Sequence, residues 1–399
     1  MKLWGRLPGK LVPTLCIALP GAIYLPQMAG AQIENRPFKT FDVYPTITHG
    51  PILLRPTESS VTIMWTTDIL SQAAVAYGEM QLDHEVEPGR DGLVPVGTVH
   101  VVELSRLAPG HTYKYEVIST PVLKLNPYWP DKGKKLESPI YQFTTFDRTK
   151  PSISFSFITD THEDVPRLNS LLRLVDLSTT DFLVHGGDSL NFIATENQMF
   201  AAWLDPVSRR LNQTKPFVYV RGNHDLRGPF ARDLAQYMQS YSEPFYYATE
   251  DGPVYLLDMD TGEDKADNTN VYAGLNQMIL YRAREYEWMK GVFAHDPDAA
   301  TAPFRIVVMH QPDWGWLNGT NQDWTKLANV ANVDLVIAGH LHRLEYIRPG
   351  TQGNDYPILV VGQDQIARVD ASSQALHITV VDRSGSVLKS ISFSRRVPN

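Results

Sequence analysis

Five apolar stretches of the chain each run into residues whose side chains can bind a metal ion or transfer a proton. These stretches have the composition of buried strands, and they cover residues 153–158, 182–184, 217–220, 304–309 and 335–338. The polar residues that follow them are Asp160, His162, Asp188, Asn223, His224, Asp225, His310, His340 and His342. In open α/β folds, ligands bind at the edge where the carboxyl ends of the strands meet. The sequence therefore predicts a metal site at one sheet edge.

The donor atoms at this edge indicate which ions it would bind. Oxygen and imidazole ligands without a thiolate suit iron, manganese or zinc. Seven candidate ligands are too many for one tetrahedral zinc with an open position, and they suit two ions that share a carboxylate. The seven are Asp160, His162, Asp188, Asn223, His310, His340 and His342. An isolated Asp-x-His or Gly-Asp pair is usually a surface turn, but seven buried polar groups at one edge are costly without an ion.

In this order, the motifs resemble those of the calcineurin-like metallophosphoesterases. They are Asp160-x-His162, Gly187-Asp188, Gly222-Asn223-His224-Asp225, His310 and Gly339-His340-x-His342. Five blocks in the right order are far more specific than any one of them. The resemblance extends from Pro151 to the strands that follow residue 355.

The resemblance also implies a role for each site residue, which spacing alone does not assign. The ligands of one ion would be Asp160, His162 and His342, those of the other Asn223, His310 and His340, and the bridging ligand Asp188. A metal-bridging hydroxide would attack the phosphate, and His224 would donate a proton to the leaving alcohol. Asp225 would orient the His224 imidazole, as carboxylates often do.

Three functions are compatible with these motifs. We expect a phosphomonoesterase, because the domain order resembles that of acid phosphatases. A phosphodiesterase acting on nucleotide, cyclic nucleotide or lipid head-group diesters is the alternative, since Asp-x-His and Gly-Asn-His-Asp are widespread among diesterases of the family. An extracellular binding protein with a relic site fits less well, because a relic would have lost ligands. The expected partner is thus a small phosphate ester, and the expected cofactors are two divalent ions of manganese, iron or zinc.

Residues 48–146 and 151–399 differ in pattern and are predicted to form two domains. The first segment has short alternating strands separated by turns, as in an all-β sandwich. It resembles the fibronectin type III-like domain that precedes purple acid phosphatase catalytic domains. The second segment alternates strands with amphipathic stretches at 165–175 and 278–292, which indicates an α/β layered domain. The resemblance implies two mixed sheets packed face to face with outer helices, an α-β-β-α sandwich.

Two positions separate this chain from the purple acid phosphatases that its domain order resembles. Those enzymes carry a metal-binding tyrosine three residues after the bridging aspartate, where this chain has Asn191. They also lack the histidine of the Asp-x-His motif, which is His162 here. An imidazole in place of a phenolate favours divalent ions and removes the source of the purple colour. We therefore predict a colourless or weakly coloured protein.

Residues 1–31 are predicted to be a secretory signal peptide, because basic residues precede an apolar stretch and Ala29-Gly30-Ala31 gives a small-x-small cleavage pattern. The stretch is too short for a stable span, so we expect no membrane span after cleavage and a secreted, periplasmic or extracellular location. The single cysteine, Cys16, lies inside the signal. With 36 basic and 44 acidic residues, bulk charge does not indicate a nucleic-acid polymer as partner.

Other motifs have competing interpretations. Trp314, Trp316 and Trp324 closely follow a candidate ligand and suit either an aromatic wall over the site or a loop held by packing. His185 precedes Gly186-Gly187, and we expect it to pack or to form hydrogen bonds rather than to support the metal ligands. Asn212 and Asn318 begin N-glycosylation sequons.

Overall fold

In the part of the chain that the structure describes, twenty strands form two sheets. The computed structural model describes residues 39–238, 244–315 and 321–395, so the predicted signal peptide at 1–31 lies outside the described residues. The strands are β1 (Ile47–Leu54), β2 (Ser60–Gly78), β3 (His84–Val86), β4 (Val96–Ser105), β5 (Thr112–Lys124), β6 (Asp131–Lys132), β7 (Leu136–Glu137), β8 (Tyr141–Thr144), β9 (Ser152–Ile158), β10 (Phe182–His185), β11 (Phe217–Tyr219), β12 (Tyr247–Asp251), β13 (Val254–Met259), β14 (Phe304–Met309), β15 (Leu335–Ala338), β16 (Glu345–Ile347), β17 (Ile358–Val360), β18 (Gln365–Ser372), β19 (Ala375–Asp382) and β20 (Val387–Ser394).

All of the described α-helices lie between β9 and β15 in the chain. They are α1 (Val165–Leu172), α2 (Glu196–Met199), α3 (Asp205–Leu211), α4 (Ala235–Met238), α5 (Met278–His295), α6 (Pro297–Thr301) and α7 (Asn321–Val330). A π-helical turn at Phe200–Leu204 joins α2 to α3, and His224–Leu226 forms a single 3-10 turn. Within the described ranges, no helix is both long enough and apolar enough to cross a membrane.

Both sheets are mixed, as the resemblance implies. The larger sheet has the order β20-β19-β18-β9-β10-β11-β1-β2-β5-β6, and the remaining N-terminal strands pair with β2 or β5. In it, β9, β10 and β11 are parallel, whereas β18 is antiparallel to β9. The smaller sheet has the order β12-β13-β14-β15-β17-β16. Its central pairs are parallel and its two outer pairs are antiparallel.

Three hydrophobic clusters define the layers. Side chains from both sheets, such as Phe157 and Ile306, fill the space between the sheets. The outer face of the larger sheet packs against helices α1 and α3 through residues such as Leu168 and Val207. The outer face of the smaller sheet packs against α5 and α7 through residues such as Met289. The helices therefore lie outside two facing sheets, in the α-β-β-α order.

The two helices expected from their spacing are confirmed. The side chain of Asp164 caps α1 by accepting a hydrogen bond from the backbone N–H of Arg167 (2.9 Å), which satisfies a free donor of the first turn. The apolar face of α1 is buried at Leu168, Leu171 and Leu172, and each such side chain stabilises the fold by about 1.5–3 kcal/mol. The second helix, α5, extends to His295, three residues beyond the amphipathic stretch.

The strands that precede residue 146 are joined to the larger sheet by backbone pairing. The 19-residue strand β2 pairs mostly with β1 and β4 along its first half and with β3 and β5 along its second. These strands bury a cluster that includes Trp65, Val75 and Tyr115. Strand β1 also pairs in parallel with β11 through Leu54 and Phe217. Residues 40–399 consequently form one compact unit, in which backbone pairing joins the N-terminal strands to the larger sheet.

Candidate metal centre

The register of the parallel strands brings the candidate ligands to one edge. Ile158, His185 and Tyr219 are neighbours at the ends of β9, β10 and β11, so the three strands stop at the same level. The loops that follow them are tied together by backbone hydrogen bonds, such as the 3.0 Å bond from Asp160 N to Gly187 O. Ligands that are far apart in the sequence therefore meet in one place.

One group of potential metal ligands contains Asp160, His162, Asp188 and His342. One ligand atom from each residue lies within 4.8 Å of those of the other three. The Nε2 atoms of His162 and His342 are 3.1 Å apart. His162 Nε2 also lies 3.8 Å from an oxygen of each aspartate. Two carboxylates and two imidazoles thus converge on a space of the size that a metal ion occupies.

A second group shares Asp188 with the first. It contains Asp188, His310 and His340, again with ligand atoms within 4.8 Å of one another. Oδ2 of Asp188 lies 3.1 Å from Nε2 of His310. The Nδ1 atom of His310 faces the carbonyl oxygen of Gly186 at 2.7 Å, so Nδ1 carries the hydrogen and Nε2 is free to bind an ion.

Asn223 gives an independent indication that the site is built for a metal. Its side chain is buried, and its Oδ1 atom has no hydrogen-bond donor among the residues that the structure describes. A buried carbonyl oxygen without a donor costs about 1–3 kcal/mol, unless a cation takes the place of the donor. The oxygen and imidazole donors of both groups suit divalent first-row ions. The residues present therefore fit divalent metal ions.

The backbone at the site is strained. Asp160, His162, Asp188, His340 and His342 all have positive φ angles, between 47° and 70°. The left-handed region costs an L-residue about 1–2 kcal/mol, and such strain is concentrated at functional sites. Gly222 is needed for a steric reason, because a Cβ atom there would lie 2.1 Å from the backbone nitrogen of Asp188. Close packing of these two loops requires a glycine.

Charge interactions keep Asp188 ionised in spite of its burial. Burial by itself would raise the pKa of the Asp188 carboxyl, but the neighbouring imidazole of His310 and the His224 N–H hold it well below its usual range. For His310, burial would lower the pKa, and the Asp188 carboxylate outweighs burial and raises it to about 10. An ion that binds at His310 Nε2 would therefore displace a proton from that atom. The shared carboxylate is thus available as an anionic ligand.

Asp225 has a different role from the expected one. Its buried carboxylate accepts hydrogen bonds from Ser189 N (3.0 Å), Tyr219 OH (2.9 Å) and Gly222 N (3.0 Å). None of these donors is the His224 imidazole. The structure thus corrects the expectation that Asp225 orients His224. Asp225 instead joins the loops after β10 and β11, which carry Asp188 and Asn223.

The carbonyl of Asn191 and the side chain of Arg227 hold the His224 imidazole. His224 Nδ1 lies 2.8 Å from Asn191 O, and Arg227 Nη1 lies 3.0 Å from His224 Nε2. The Nε2 atom is also 4.0 Å from Asp188 Oδ2, so the imidazole borders both ligand groups. Sequence reasoning did not identify Arg227, because no motif marks the second residue after Gly-Asn-His-Asp.

The remaining candidates have structural positions. His185 is fully buried, packs against Trp203 and lies within hydrogen-bond distance of Thr161 Oγ1 (3.4 Å) and Ser189 Oγ (3.3 Å), and burial lowers its pKa to about 3. The expectation that it packs and forms hydrogen bonds is confirmed. Trp314 and Trp324 are buried and stack on each other with ring centroids 5.7 Å apart, which favours a packed loop over an aromatic wall for these two residues. Trp316 and the sequon at 318–320 lie outside the described residues, and Asn212 is exposed.

Comparison with known proteins decides the family of this domain. Residues 153–344 match the family model of the calcineurin-like phosphoesterases. This part of the chain is a calcineurin-like metallophosphoesterase domain. The match covers every candidate ligand, and it supports a metal-dependent phosphoester hydrolase.

Two solved structures share the fold of the metallophosphoesterase domain and of the strands before it. One is a purple acid phosphatase from seeds of yellow lupin (Lupinus luteus), with 16% identity and a TM-score of 0.64, and the alignment covers 88% of this chain and 74% of that one. The other is PhoD, with 9% identity and a TM-score of 0.57, and the alignment covers 88% of this chain and 94% of that one. At these identities the similarity establishes the fold alone.

Proposed function

We propose that the protein is a secreted phosphomonoesterase that uses two divalent metal ions. The observation that supports two ions most directly is that Asp188 belongs to both ligand groups. The proposed ligands are Asp160, His162 and His342 for one ion, Asn223, His310 and His340 for the other, and Asp188 for both. Manganese, iron and zinc all suit this donor set.

The protein supplies the groups around the reacting phosphate. Bound ions would stabilise the charge on the phosphoryl oxygens and lower the pKa of an attacking water. His224 is the proposed proton donor to the leaving alcohol, because its ring borders both ligand groups and is held at Nδ1 by the Asn191 carbonyl. Asp225 is a positioning residue, since its three hydrogen bonds fix the loops of Asp188 and Asn223.

A monoester is the favoured substrate, and a diester is the alternative. The fold similarity to a purple acid phosphatase includes the N-terminal strands as well as the catalytic domain, which favours a monoester. The presence of His162 favours a diester, because the Asp-x-His form is widespread among diesterases that the motifs resemble. We retain nucleotide, cyclic nucleotide and lipid head-group diesters as this second class.

Domain organisation and location form part of the same proposal. We assign residues 1–31 to a signal peptide, 48–146 to a fibronectin III-like sandwich and 151–399 to the metallophosphoesterase domain. The change of partners along β2 and the cluster around Trp65 support the sandwich. Secretion rests on the signal-like pattern of the first 31 residues.

A panel of two substrates and three metals tests this proposal. Metal-free protein is mixed with manganese, iron or zinc, and hydrolysis of para-nitrophenyl phosphate is compared with that of bis-para-nitrophenyl phosphate. We expect metal-dependent hydrolysis that is faster for the monoester. Faster hydrolysis of the diester would support the alternative class. No hydrolysis with any metal would contradict both and would favour a binding protein with a relic site.

A further inference from the structure

The Arg227 side chain places a positive charge beside the metal centre. Arg227 directly follows the 3-10 turn at His224–Leu226. Its Nη1 atom is 3.0 Å from His224 Nε2, and that Nε2 atom is 4.0 Å from Asp188 Oδ2. His224 therefore lies between the guanidinium and the carboxylate that both ligand groups share.

Two acidic residues fix the orientation of this guanidinium. Nε and Nη2 of Arg227 donate to the two oxygens of Glu263, at 3.1 and 2.8 Å, which is a bidentate pair. Nη2 also donates to Asp264 Oδ1 at 3.1 Å. The Glu263 side chain is 2% exposed, whereas that of Arg227 is 29% exposed. The guanidinium is consequently anchored on its buried side, and its Nη1 end lies beside His224.

One of the N–H groups of Arg227 has no hydrogen-bond acceptor among the described residues. An arginine side chain has five N–H donors and no acceptor. Four of them are used in the bonds to Glu263, Asp264 and His224. The fifth, on Nη1, has no acceptor within the ranges that the structure describes. This donor is on the same nitrogen that contacts His224, whose ring borders the metal centre.

The contact with Arg227 also determines which His224 nitrogen carries the hydrogen. Because arginine only donates, His224 Nε2 accepts in this contact. Because the Asn191 carbonyl only accepts, His224 Nδ1 carries the hydrogen. In the protein without substrate, the Nε2 lone pair is therefore occupied by Arg227. An anionic oxygen is a stronger acceptor than a neutral imidazole, so a bound phosphate would compete with Nε2 for the Nη1 donors.

We propose that Arg227 is a substrate-binding residue that hydrogen bonds through Nη1 to a non-bridging oxygen of the phosphate and gives the site its preference for monoester dianions. This inference rests on the proposed function. When Nη1 bonds to the phosphate, the lone pair of His224 Nε2 is released, so that Nε2 can take up a proton from water and pass it to the leaving-group oxygen. A monoester above its second pKa of about 6 has three acceptor oxygens and nearly two negative charges. A diester has two such oxygens and one charge, so it gains less from an additional cation.

The test compares Arg227→Gln and Arg227→Lys with the unchanged protein at pH 8, where the monoester is a dianion. The substrates are para-nitrophenyl phosphate and bis-para-nitrophenyl phosphate, and inorganic phosphate serves as a competitive inhibitor. Arg368→Gln is the matched control, because Arg368 pairs with Asp370 on β18, outside the metal centre. Thermal melting checks that each variant is folded.

We expect Arg227→Gln to raise both the KM for the monoester and the inhibition constant of phosphate at least about tenfold, which is the effect of losing one hydrogen bond to a charged group. The KM for the diester should change less, because the diester carries one negative charge instead of nearly two. Arg227→Lys keeps the charge but not the fork geometry. Its KM for the monoester should lie between those of the unchanged protein and of Arg227→Gln. Arg368→Gln should match the unchanged protein.

Other results would overturn the inference. If kcat fell equally for both esters while KM and phosphate inhibition stayed unchanged, Arg227 would act only through His224 and would not bind substrate. If Arg227→Gln did not fold, the same measurements on Arg227→Lys, which can still pair with Glu263, would decide. A protein that hydrolysed neither ester would contradict the proposed function instead. Calorimetric binding of inorganic phosphate to the manganese-loaded protein and to its Arg227 variants would then still test the inference.

Discussion

The backbone N–H of His224 donates a 2.8 Å hydrogen bond to Oδ1 of Asp188. The carboxylate shared by the two ligand groups thus also fixes the loop that carries the proposed proton donor. Its other oxygen, Oδ2, faces His310. The position of His224 and the formation of the metal centre are consequently coupled through one side chain.

His224→Ala should separate metal binding from catalysis. We expect this variant to keep its metal content, because His224 is not among the proposed ligands, and to lose activity by about 10²–10⁴-fold, the usual contribution of a general acid. The loss should be smaller for nitrophenyl phosphate than for alkyl phosphates, because a good leaving group needs little protonation. An equal loss for both substrates would argue against proton donation by His224.

Asp225→Asn should reduce stability more than it changes the chemistry. The carboxylate accepts three hydrogen bonds, and an amide NH₂ in its place would leave buried donors facing each other. We expect unfolding to become easier by about 1–3 kcal/mol, measured by urea titration. Asp323→Asn, at an exposed position on α7, is the control. Unchanged stability with a large loss of activity would instead favour the original interpretation, that Asp225 acts on the His224 imidazole.

These two residues also show how far the sequence could predict the site. The ligands could be predicted because each follows an apolar stretch, and because parallel strands end at one edge. The hydrogen-bond partners of Asp225 could not, because they depend on how the loops after β10 and β11 pack. The pairing of Arg227 with Glu263 could not be predicted either, since the two residues are 36 positions apart and Glu263 belongs to no motif.

The fold was predictable in a similar way. Alternating strands and helical stretches indicated the layered domain, and in α1 the apolar spacing matches the buried face. In α5 it does not, because the buried side chains include Arg282 and Glu285. The parallel pairing of Leu54 with Phe217 joins the N-terminal strands to the larger sheet. Such pairing between distant segments leaves no local pattern, because any apolar strand edge of suitable length can provide it.

His100 should make the protein less stable in acid. It is buried, its Nε2 atom is 2.8 Å from Thr67 Oγ1, and burial lowers its pKa from 6.5 to about 4. Between these pH values the unfolded chain binds more protons than the folded one, so stability falls as pH decreases through this window. The full effect is about 3 kcal/mol.

Urea titrations at pH 7.5 and pH 5.0 test this prediction. His100→Gln removes the titrating group and should lose less stability between the two pH values than the unchanged protein, by about 2 kcal/mol. His84→Gln is the control, because His84 is exposed. If both variants lost as much stability as the unchanged protein, another group would be responsible.

Asn191 should determine the colour of the iron-loaded protein. Its side chain donates to Glu163 Oε2 at 3.0 Å and offers no phenolate to a ferric ion. We expect no intense visible band from the iron-loaded protein, because a charge-transfer band of this kind requires a suitable anionic ligand. Asn191→Tyr should introduce such a band. An intense band in the unchanged protein would mean that another tyrosine binds the iron.

Metal content tests the central claim, that Asp188 is shared by two ions, most directly. The protein and its Asp188→Asn variant are dialysed against manganese, and bound metal is measured by inductively coupled plasma mass spectrometry, with Asp323→Ala as control. We predict two ions per chain in the unchanged protein and in the control. In Asp188→Asn we predict fewer than two ions and no measurable hydrolysis, because an anionic ligand is lost from both groups. One ion per chain in the unchanged protein, or two ions in an active Asp188→Asn variant, would contradict the account.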